Sequence, residues 1–156
     1  MISNIQNLSE KEKEIFKLNL DTNKKRTLQK WLYGECLELG AALVAFDLQP
    51  TEQHLKELYE EIADVKVLLT QYFLFHDVNP GVCAQGVPVD SNAQLANMFA
   101  AHGYLCGHGI NSPSANVLSQ GLMQLSLNKY PSPEINKIYH EKIEKLGRRL
   151  ESGEFT

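Results

Sequence analysis

The fold is decided by residues 34–64, which read GECLELGAALVAFDLQPTEQHLKELYEEIAD. Apolar side chains recur at three- and four-residue steps on both sides of Pro50, and this is the period of an α-helix. They are Leu28, Trp31, Leu32, Leu39, Leu43 and Phe46 before the proline, and Leu55, Leu58, Ile62, Val65, Leu68, Leu69 and Tyr72 after it. Because the proline ends the first helix and Thr51 can cap the second, the stretch predicts an antiparallel helical hairpin.

The remainder of the chain also has the pattern of helices rather than strands. Ser9, Ser112 and Ser132 each precede a segment with the composition of a helix start, and a proline directly follows the last two. A further helix is predicted over residues 92–105, whereas the Pro, Gly and Asn content of residues 77–91 predicts a loop. No segment shows the alternation of a half-buried strand. The sequence therefore predicts one all-α domain over residues 1–156.

The composition is that of a soluble domain without a general affinity for polyanions. The 156 residues carry a formal net charge of −4, which gives no electrostatic drive toward nucleic acid or an anionic membrane. No apolar run has the length needed to span a bilayer, and the N-terminus does not have the pattern of a secretory signal. The three cysteines lack the spacing of a disulfide framework. We therefore expect a cytoplasmic protein.

Two pairs of acids, each three residues apart, lie within the predicted hairpin. On a helical wheel, Glu35 falls near the centre of the apolar face of the first helix, and Glu38 falls at its edge. Glu61 and Asp64 form a stripe beside the apolar face of the second helix, so packing of the two faces would bring four carboxylates together. A buried carboxylate needs a partner, and an all-oxygen acidic cluster favours Mg²⁺ or Mn²⁺. The competing interpretation is that both pairs are ordinary solvated helix faces.

The same residues resemble a known family signature. The motif GECLEL, followed after a spacer by EIADVKVLL, is similar to the E-x-x-E and E-x-x-D motifs of the MazG-like all-α nucleoside triphosphate pyrophosphohydrolases. The resemblance covers residues 27–75 and, less closely, residues 136–155, which are similar to the tail of short, often phage-encoded members. It implies a four-helix-type bundle with core helices at about 24–76 and 133–151. Residues 77–130, with extra helices around 92–130, would then be an insertion.

The resemblance also implies an activity, which is hydrolysis of a nucleoside triphosphate to the monophosphate and pyrophosphate. Glu35, Glu38, Glu61 and Asp64 would be the catalytic residues and would hold two or more Mg²⁺ ions, with Mn²⁺ as an alternative metal. A deoxynucleoside triphosphate is the expected substrate, and dGTP is the first candidate. A homodimer or homotetramer is implied as well, located in the host cytoplasm if the protein is phage-encoded.

Four further residues are candidates for binding substrate, and each has an ordinary structural alternative. By resemblance to the family tail, Lys142 and Arg149 could reach substrate phosphates, although cations near a helix C-terminus also stabilise the helix itself. Trp31 could stack on a base, but core packing is the default for a single tryptophan in an apolar face. Gln29 matches a glutamine that lies upstream of the first motif in short family members, and it could hydrogen-bond a base edge.

One position departs from the family pattern. Many members carry an additional glutamate where this chain has Gly34, and that glutamate is a candidate general base. Glu57 and Glu60 are the nearest acids in pattern that could orient a water instead. Gly34 and Gly40 also lower helix propensity by about 1 kcal/mol each relative to alanine, which predicts close helix packing or ligand approach at both positions.

Other functions remain open on the sequence alone. The main alternative is a non-enzymatic helical interaction protein whose acids are structural. A structural zinc site is a weaker one, because Cys83, His102, Cys106 and His108 lack a C-x-x-C knuckle. A ferritin-like redox centre typically uses E-x-x-H ligand pairs, and neither acidic pair contains a histidine.

Overall fold

A computed structural model describes residues 7–76, 78–79 and 90–155 of the chain, and within these ranges the fold is all-α, as predicted. Six α-helices and one π-helical segment account for the regular structure, and these described ranges contain no strand. The helices are α1 (Glu10–Thr22), α2 (Lys25–Leu48), α3 (Glu52–Phe75), α4 (Asn92–Gly107), α5 (Ser112–Met123) and α6 (Pro133–Glu151), and the π-helical segment Gln124–Lys129 follows α5 directly.

Side-chain caps define most of the helix starts. Ser9 and Glu12 form a capping box at α1, in which the Glu12 amide donates to Ser9 Oγ at 3.1 Å. Thr51 accepts from the His54 amide at the start of α3, which is the predicted cap. The predicted cap of α5 was wrong by one residue. Asn111, and not Ser112, accepts from the Ser114 amide, because the asparagine side chain reaches the free N–H of the first turn.

The predicted helical hairpin is formed by α2 and α3. Residues 49–51 join the two helices, which pack against each other. Gln29 near the start of α2 contacts His76, which caps the end of α3, and so the helices run antiparallel. An early residue of α2 therefore lies beside a late residue of α3.

Helix α3 lies between two hydrophobic clusters. Its residues Leu58, Ile62, Val65 and Leu69 belong to the main core, which α2, α4, α5 and the π-helical segment complete. Its Ala63 and Val67 belong to a second cluster with α1 and α6, where Phe16, Tyr139 and Ile143 are buried. Because both sides of the later part of α3 are covered, none of residues 62–75 is exposed, whereas Glu57 and Glu60 in its first half are.

Helices α4 and α5, which the resemblance places in an insertion, are an integral part of the main core. Leu95, Phe99 and Cys106 of α4 are fully buried there. Helix α4 approaches α2 so closely that a Cβ on Gly103 would lie 2.7 Å from the Cβ of Cys36, and one on Gly40 would lie 3.3 Å from the Cβ of Ala96. The expectation of close packing therefore holds for Gly40. Gly34 is not a site of close helix packing, since an added Cβ would meet no atom within 4 Å, and for this position the alternative of ligand approach stays a prediction.

No helix in the described part of the chain combines the length and apolar character that crossing a bilayer requires.

Candidate functional site

The hairpin brings three of the four predicted acids into one cluster. Each of Glu35, Glu38 and Glu61 can offer one carboxylate oxygen such that all these oxygens lie within 4.8 Å of one another. Glu35 and Glu38 project from α2, one turn apart, and Glu61 projects from α3. The antiparallel register of the hairpin is what aligns the two motifs, since residues near position 35 then lie opposite residues near position 64.

The predicted position of Glu35 on its helix was wrong. The fully buried stripe of α2 runs through Leu32, Cys36, Leu39 and Leu43, so Glu35 lies at the border of the stripe, half-buried, rather than at its centre. The reason is that α2 is covered by α4 as well as by α3, which turns Cys36 inward. Glu38 is exposed. The cluster therefore opens to solvent on one side.

Two oxygens of the cluster are buried without a hydrogen-bond partner. They are Glu35 Oε2 and Glu61 Oε2. Burial and the neighbouring Asp64 carboxylate raise the pKa of Glu35 to about 8, and the same two causes raise the pKa of Glu61 to about 7. Partnerless carboxylate oxygens and mutual repulsion are both relieved by a divalent cation, and a donor set of oxygens alone suits Mg²⁺ or Mn²⁺. The residues present fit the metal that the motifs imply.

Asp64, the fourth acid, lies beside the cluster and is neutralised by the protein itself. Lys142 Nζ of α6 lies 2.9 Å from Asp64 Oδ1 and 2.9 Å from Glu60 Oε2. Burial raises the pKa of Asp64, and it outweighs the opposing effect of Lys142. Burial would lower the pKa of Lys142, but the hydrogen bonds to both carboxylates prevail and raise it. Lys66, the cation nearest to Asp64 in sequence, lies over the Tyr139 ring instead, and the cation that pairs with Asp64 comes from α6.

A cavity of about 330 Å³ adjoins the acidic cluster. Glu35, Asp64 and Lys142 line it, together with two other predicted substrate-binding residues, Trp31 and Arg149. Trp31 does not take the default role of a core residue, because 38% of it is exposed and its ring lies at the cavity wall. Ligand pockets commonly have volumes of about 300–1,000 Å³, so this one is large enough to hold part of a nucleotide.

Several residues of the cavity were not predicted from the sequence. Lys145 adds a third cation to its lining, and Asn19, Gln71 and Phe155 contribute two amides and a second aromatic ring. Lys145 lies three residues after Lys142 on α6, and this helical spacing is a signal that could have identified it. Asn19 and Phe155 carry no such signal, because only the packing of α1 and of the C-terminal turn brings them to α2 and α3.

Gln29 is the one predicted substrate-binding residue that does not line this cavity. Its Nε2 donates to His76 Nε2 at 3.1 Å, within a small depression between α2 and α3. Burial lowers the pKa of His76, which keeps the ring neutral and able to accept this bond. Gln29 therefore links the start of α2 to the end of α3 at the open end of the hairpin.

The alternative zinc ligands have other partners. His102 Nδ1 lies 2.9 Å from Ser114 Oγ, and the ring of His108 packs on Tyr104 with the centroids 4.2 Å apart. Cys106 is buried, and Cys83 lies outside the described residues. Within the ranges that the structure describes, the only group of three or more potential metal ligands is the acidic cluster.

The two acids that could replace the missing glutamate at position 34 differ in position. Glu57 is exposed and accepts a hydrogen bond from Gln53 at 3.1 Å, one turn away from the cluster. Glu60 shares Lys142 with Asp64, so its carboxylate lies closer to the cavity.

Comparisons of the chain with protein-family models, with curated proteins and with solved structures find no match.

Proposed function

We propose that the protein is a Mg²⁺-dependent nucleoside triphosphate pyrophosphohydrolase. One observation carries the proposal: three carboxylates, two of which have a buried oxygen without a hydrogen-bond partner, adjoin a cavity that three cationic side chains line. Carboxylates bind Mg²⁺, and cationic side chains bind phosphate oxygens. A site for a polyphosphate with bound Mg²⁺ requires both kinds of residue. The reaction adds water across the bond between the α and β phosphates and releases a nucleoside monophosphate and pyrophosphate.

The acids form the metal-binding part of this site. Glu35, Glu38 and Glu61 would hold Mg²⁺, and Asp64 would join them when Lys142 moves to a phosphate. Bound Mg²⁺ supplies neutralisation of phosphate charge and lowers the pKa of a coordinated water. Of the two candidate acids, Glu60 is the better placed to orient the attacking water, because it lies beside Asp64, whereas Glu57 pairs with Gln53.

The cations and the aromatic wall form the substrate-binding part. Lys142 and Lys145 of α6 line the cavity and would neutralise the phosphate oxygens as they approach the acids. Arg149 lines it as well, paired with Glu154 and over the Phe155 ring, and would contact a phosphate after releasing Glu154. Trp31 offers an apolar face to a base. We propose a deoxynucleoside triphosphate as the substrate, with dGTP as the first to be assayed.

An exposed apolar stripe on α2 supports self-association, and it is also the observation that favours the alternative of a non-enzymatic interaction protein. Leu37, Val44 and Leu48 are 45%, 39% and 78% exposed, and with Ala41 they repeat at steps of four, three and four residues. That spacing is the pattern of a helix that packs on another helix. We propose a homodimer through this stripe, with a homotetramer as the larger assembly.

The decisive experiment is an incubation of the protein with each ribo- and deoxyribonucleoside triphosphate and Mg²⁺, scored for monophosphate and pyrophosphate. We expect pyrophosphate release from at least one deoxynucleotide. Glu38→Gln should weaken Mg²⁺ binding at least about 10-fold and remove activity, whereas the exposed Glu57→Gln serves as the matched control. Release of orthophosphate would indicate a phosphatase instead. Unchanged Mg²⁺ affinity in Glu38→Gln, together with an inactive wild type, would favour the non-enzymatic alternative.

A further inference from the structure

The cavity has two chemically different ends, which the hairpin separates. Along α3, Gln71 follows Asp64 by seven residues, which corresponds to about 10 Å along the helix axis. Along the antiparallel α2, Trp31 precedes Glu35 by one turn and is therefore displaced in the same direction. All four residues line the cavity. One end is thus acidic, and the other end carries an indole and an amide.

The amide end contains a buried polar pair. Asn19 and Gln71 are each only 1% exposed, and Asn19 Nδ2 donates to Gln71 Oε1 at 2.8 Å. Gln71 Nε2 donates to the Val67 carbonyl at 3.3 Å, and Asn23 Nδ2 donates to Asn19 Oδ1 at 2.8 Å. Each of the two buried amide nitrogens thus donates one hydrogen bond within the described part of the chain, which leaves one N–H on each.

The remaining N–H groups of Asn19 and Gln71 cost free energy unless an acceptor binds them. An amide N–H buried in an apolar contact without a partner costs about 1–3 kcal/mol, whereas one that lines a cavity can donate to a water or to a ligand there. An apolar pair of the same shape would fill the space between α1 and α3 without that cost, since Phe16 and Val67 beside it are already part of an apolar cluster. The buried amides instead line a cavity, where a ligand can accept from the two remaining N–H groups.

Aromatic rings border the same end. The centroids of Trp31 and Phe155 lie 5.9 Å apart, with 43° between the ring planes, and Arg149 Cζ lies 4.7 Å from the Phe155 centroid. Flat apolar walls with a few hydrogen-bonding groups at the back are what a planar heterocycle requires. The distance of about 10 Å from the acids leaves room for a sugar between a phosphate at the acidic end and a ring at this end.

We infer that this end of the cavity is a nucleobase subsite, in which the Asn19 and Gln71 amides donate to carbonyl oxygens of the base. The inference rests on the proposed function and deepens it. Two donors match bases that carry an oxo group, such as guanine, hypoxanthine, thymine or uracil. Adenine carries an amino group where guanine and hypoxanthine carry the oxo group, and because that amino group is itself a donor it cannot accept from the amide N–H groups. Asn19 and Gln71 are therefore specificity-determining residues.

The protein contains a built-in probe for this subsite, because Trp31 is its single tryptophan. Titration of the full chain with dGMP, dTMP or dAMP in the presence of Mg²⁺ can be followed by Trp31 fluorescence, with the midpoint as the affinity. We expect dGMP or dTMP to bind at least about 10-fold more tightly than dAMP. The double variant Asn19→Leu with Gln71→Met replaces both partners by apolar groups of similar shape, and it should reduce this preference to less than about 3-fold.

Two controls keep the test decisive. Thr70→Val changes a buried polar residue adjacent to Gln71 that bonds Tyr139 and does not line the cavity, so it should retain the preference. The single variant Gln71→Met, checked for helicity by circular dichroism, substitutes if the double variant does not fold. Equal binding of dAMP by the wild type, an unchanged preference in the variants, or no binding of any nucleotide would each overturn the subsite. Base-selective binding without pyrophosphate release would support the subsite and overturn the proposed hydrolase activity alone.

Discussion

Replacement of Glu35 by glutamine should remove an electrostatic penalty from the metal-free protein and remove metal binding at the same time. In the unfolded chain the pKa of Glu35 has its ordinary value of 4.5, and in the folded protein burial and Asp64 raise it to about 8. The folded state therefore binds this proton more tightly. Its contribution to stability is complete below about pH 4.5 and is lost as the pH rises through 8.

The magnitude follows from the same pKa. A rise from 4.5 to about 8 corresponds to at most about 5 kcal/mol, and because Glu35 is only half-buried, solvent screening reduces the expected effect to about 1–2 kcal/mol. In EDTA, the free energy of unfolding of the wild type should fall by this amount, relative to Glu35→Gln, between pH 5 and pH 8. The comparison with the variant removes the contributions of His76 and His102, whose pKa values burial lowers, because both proteins contain them. The remaining difference belongs to Glu35 together with Glu61, because the two carboxylates interact and each affects the pKa of the other.

Urea denaturation at pH 5 and pH 8, with EDTA or with excess Mg²⁺, measures both the pH dependence due to Glu35 and the stabilisation by Mg²⁺. At pH 8, Mg²⁺ at about 100 times its dissociation constant should stabilise the wild type by about 2.7 kcal/mol and leave Glu35→Gln unchanged. Glu57→Gln should behave like the wild type, because Glu57 is exposed and lies outside the cluster. A pH dependence that is the same in Glu35→Gln and in the wild type would refute the electrostatic reasoning. Equal Mg²⁺ stabilisation of both proteins would refute the metal site.

Three further changes test the charge balance, the helix packing and the proposed assembly. Lys142→Met removes the cation that pairs with Asp64 and Glu60, so it should lower the free energy of unfolding in EDTA by about 1 kcal/mol and increase the stabilisation by Mg²⁺. Thermal unfolding measures both effects, and an unchanged melting temperature in EDTA would contradict this prediction. Gly103→Ala should lower the free energy of unfolding in urea by about 1–3 kcal/mol, because the added Cβ would meet Cys36. Gly34→Ala has open space around the added Cβ and should raise this free energy by about 0.5–1 kcal/mol. Equal effects of the two substitutions would contradict the packing of α4 on α2. Val44→Glu with Leu48→Glu should convert the proposed homodimer to a monomer in light scattering, and a wild type that is itself monomeric would refute the dimer.

The features that could be predicted from the sequence are those that depend on neighbours along the chain. The period of the apolar residues predicts α2 and α3, and Pro50 predicts the turn between them. Because the turn is short, the helices must pack antiparallel, and this alone brings Glu35 and Glu61 together. The burial of Glu35 was harder to predict, since a helical wheel assumes one buried face and α2 is covered on two sides.

The features that escaped prediction depend on helices that are distant in sequence. Nothing near Asp64 in the chain indicates that Lys142 will neutralise it, because this contact requires α6 to pack on α3. The same holds for Asn19 of α1, which reaches Gln71 across 52 residues.

The sequence by itself determined the helices and the meeting of three carboxylates on one hairpin, because local periodicity and a three-residue turn leave little freedom. Only the tertiary structure decided what surrounds those carboxylates. The packing of α1 and α6 on α3 brings Lys142 to Asp64 and the buried amides to the far end of the cavity. The physical reason is that burial and Coulomb interactions depend on distance in space, which sequence separation does not encode.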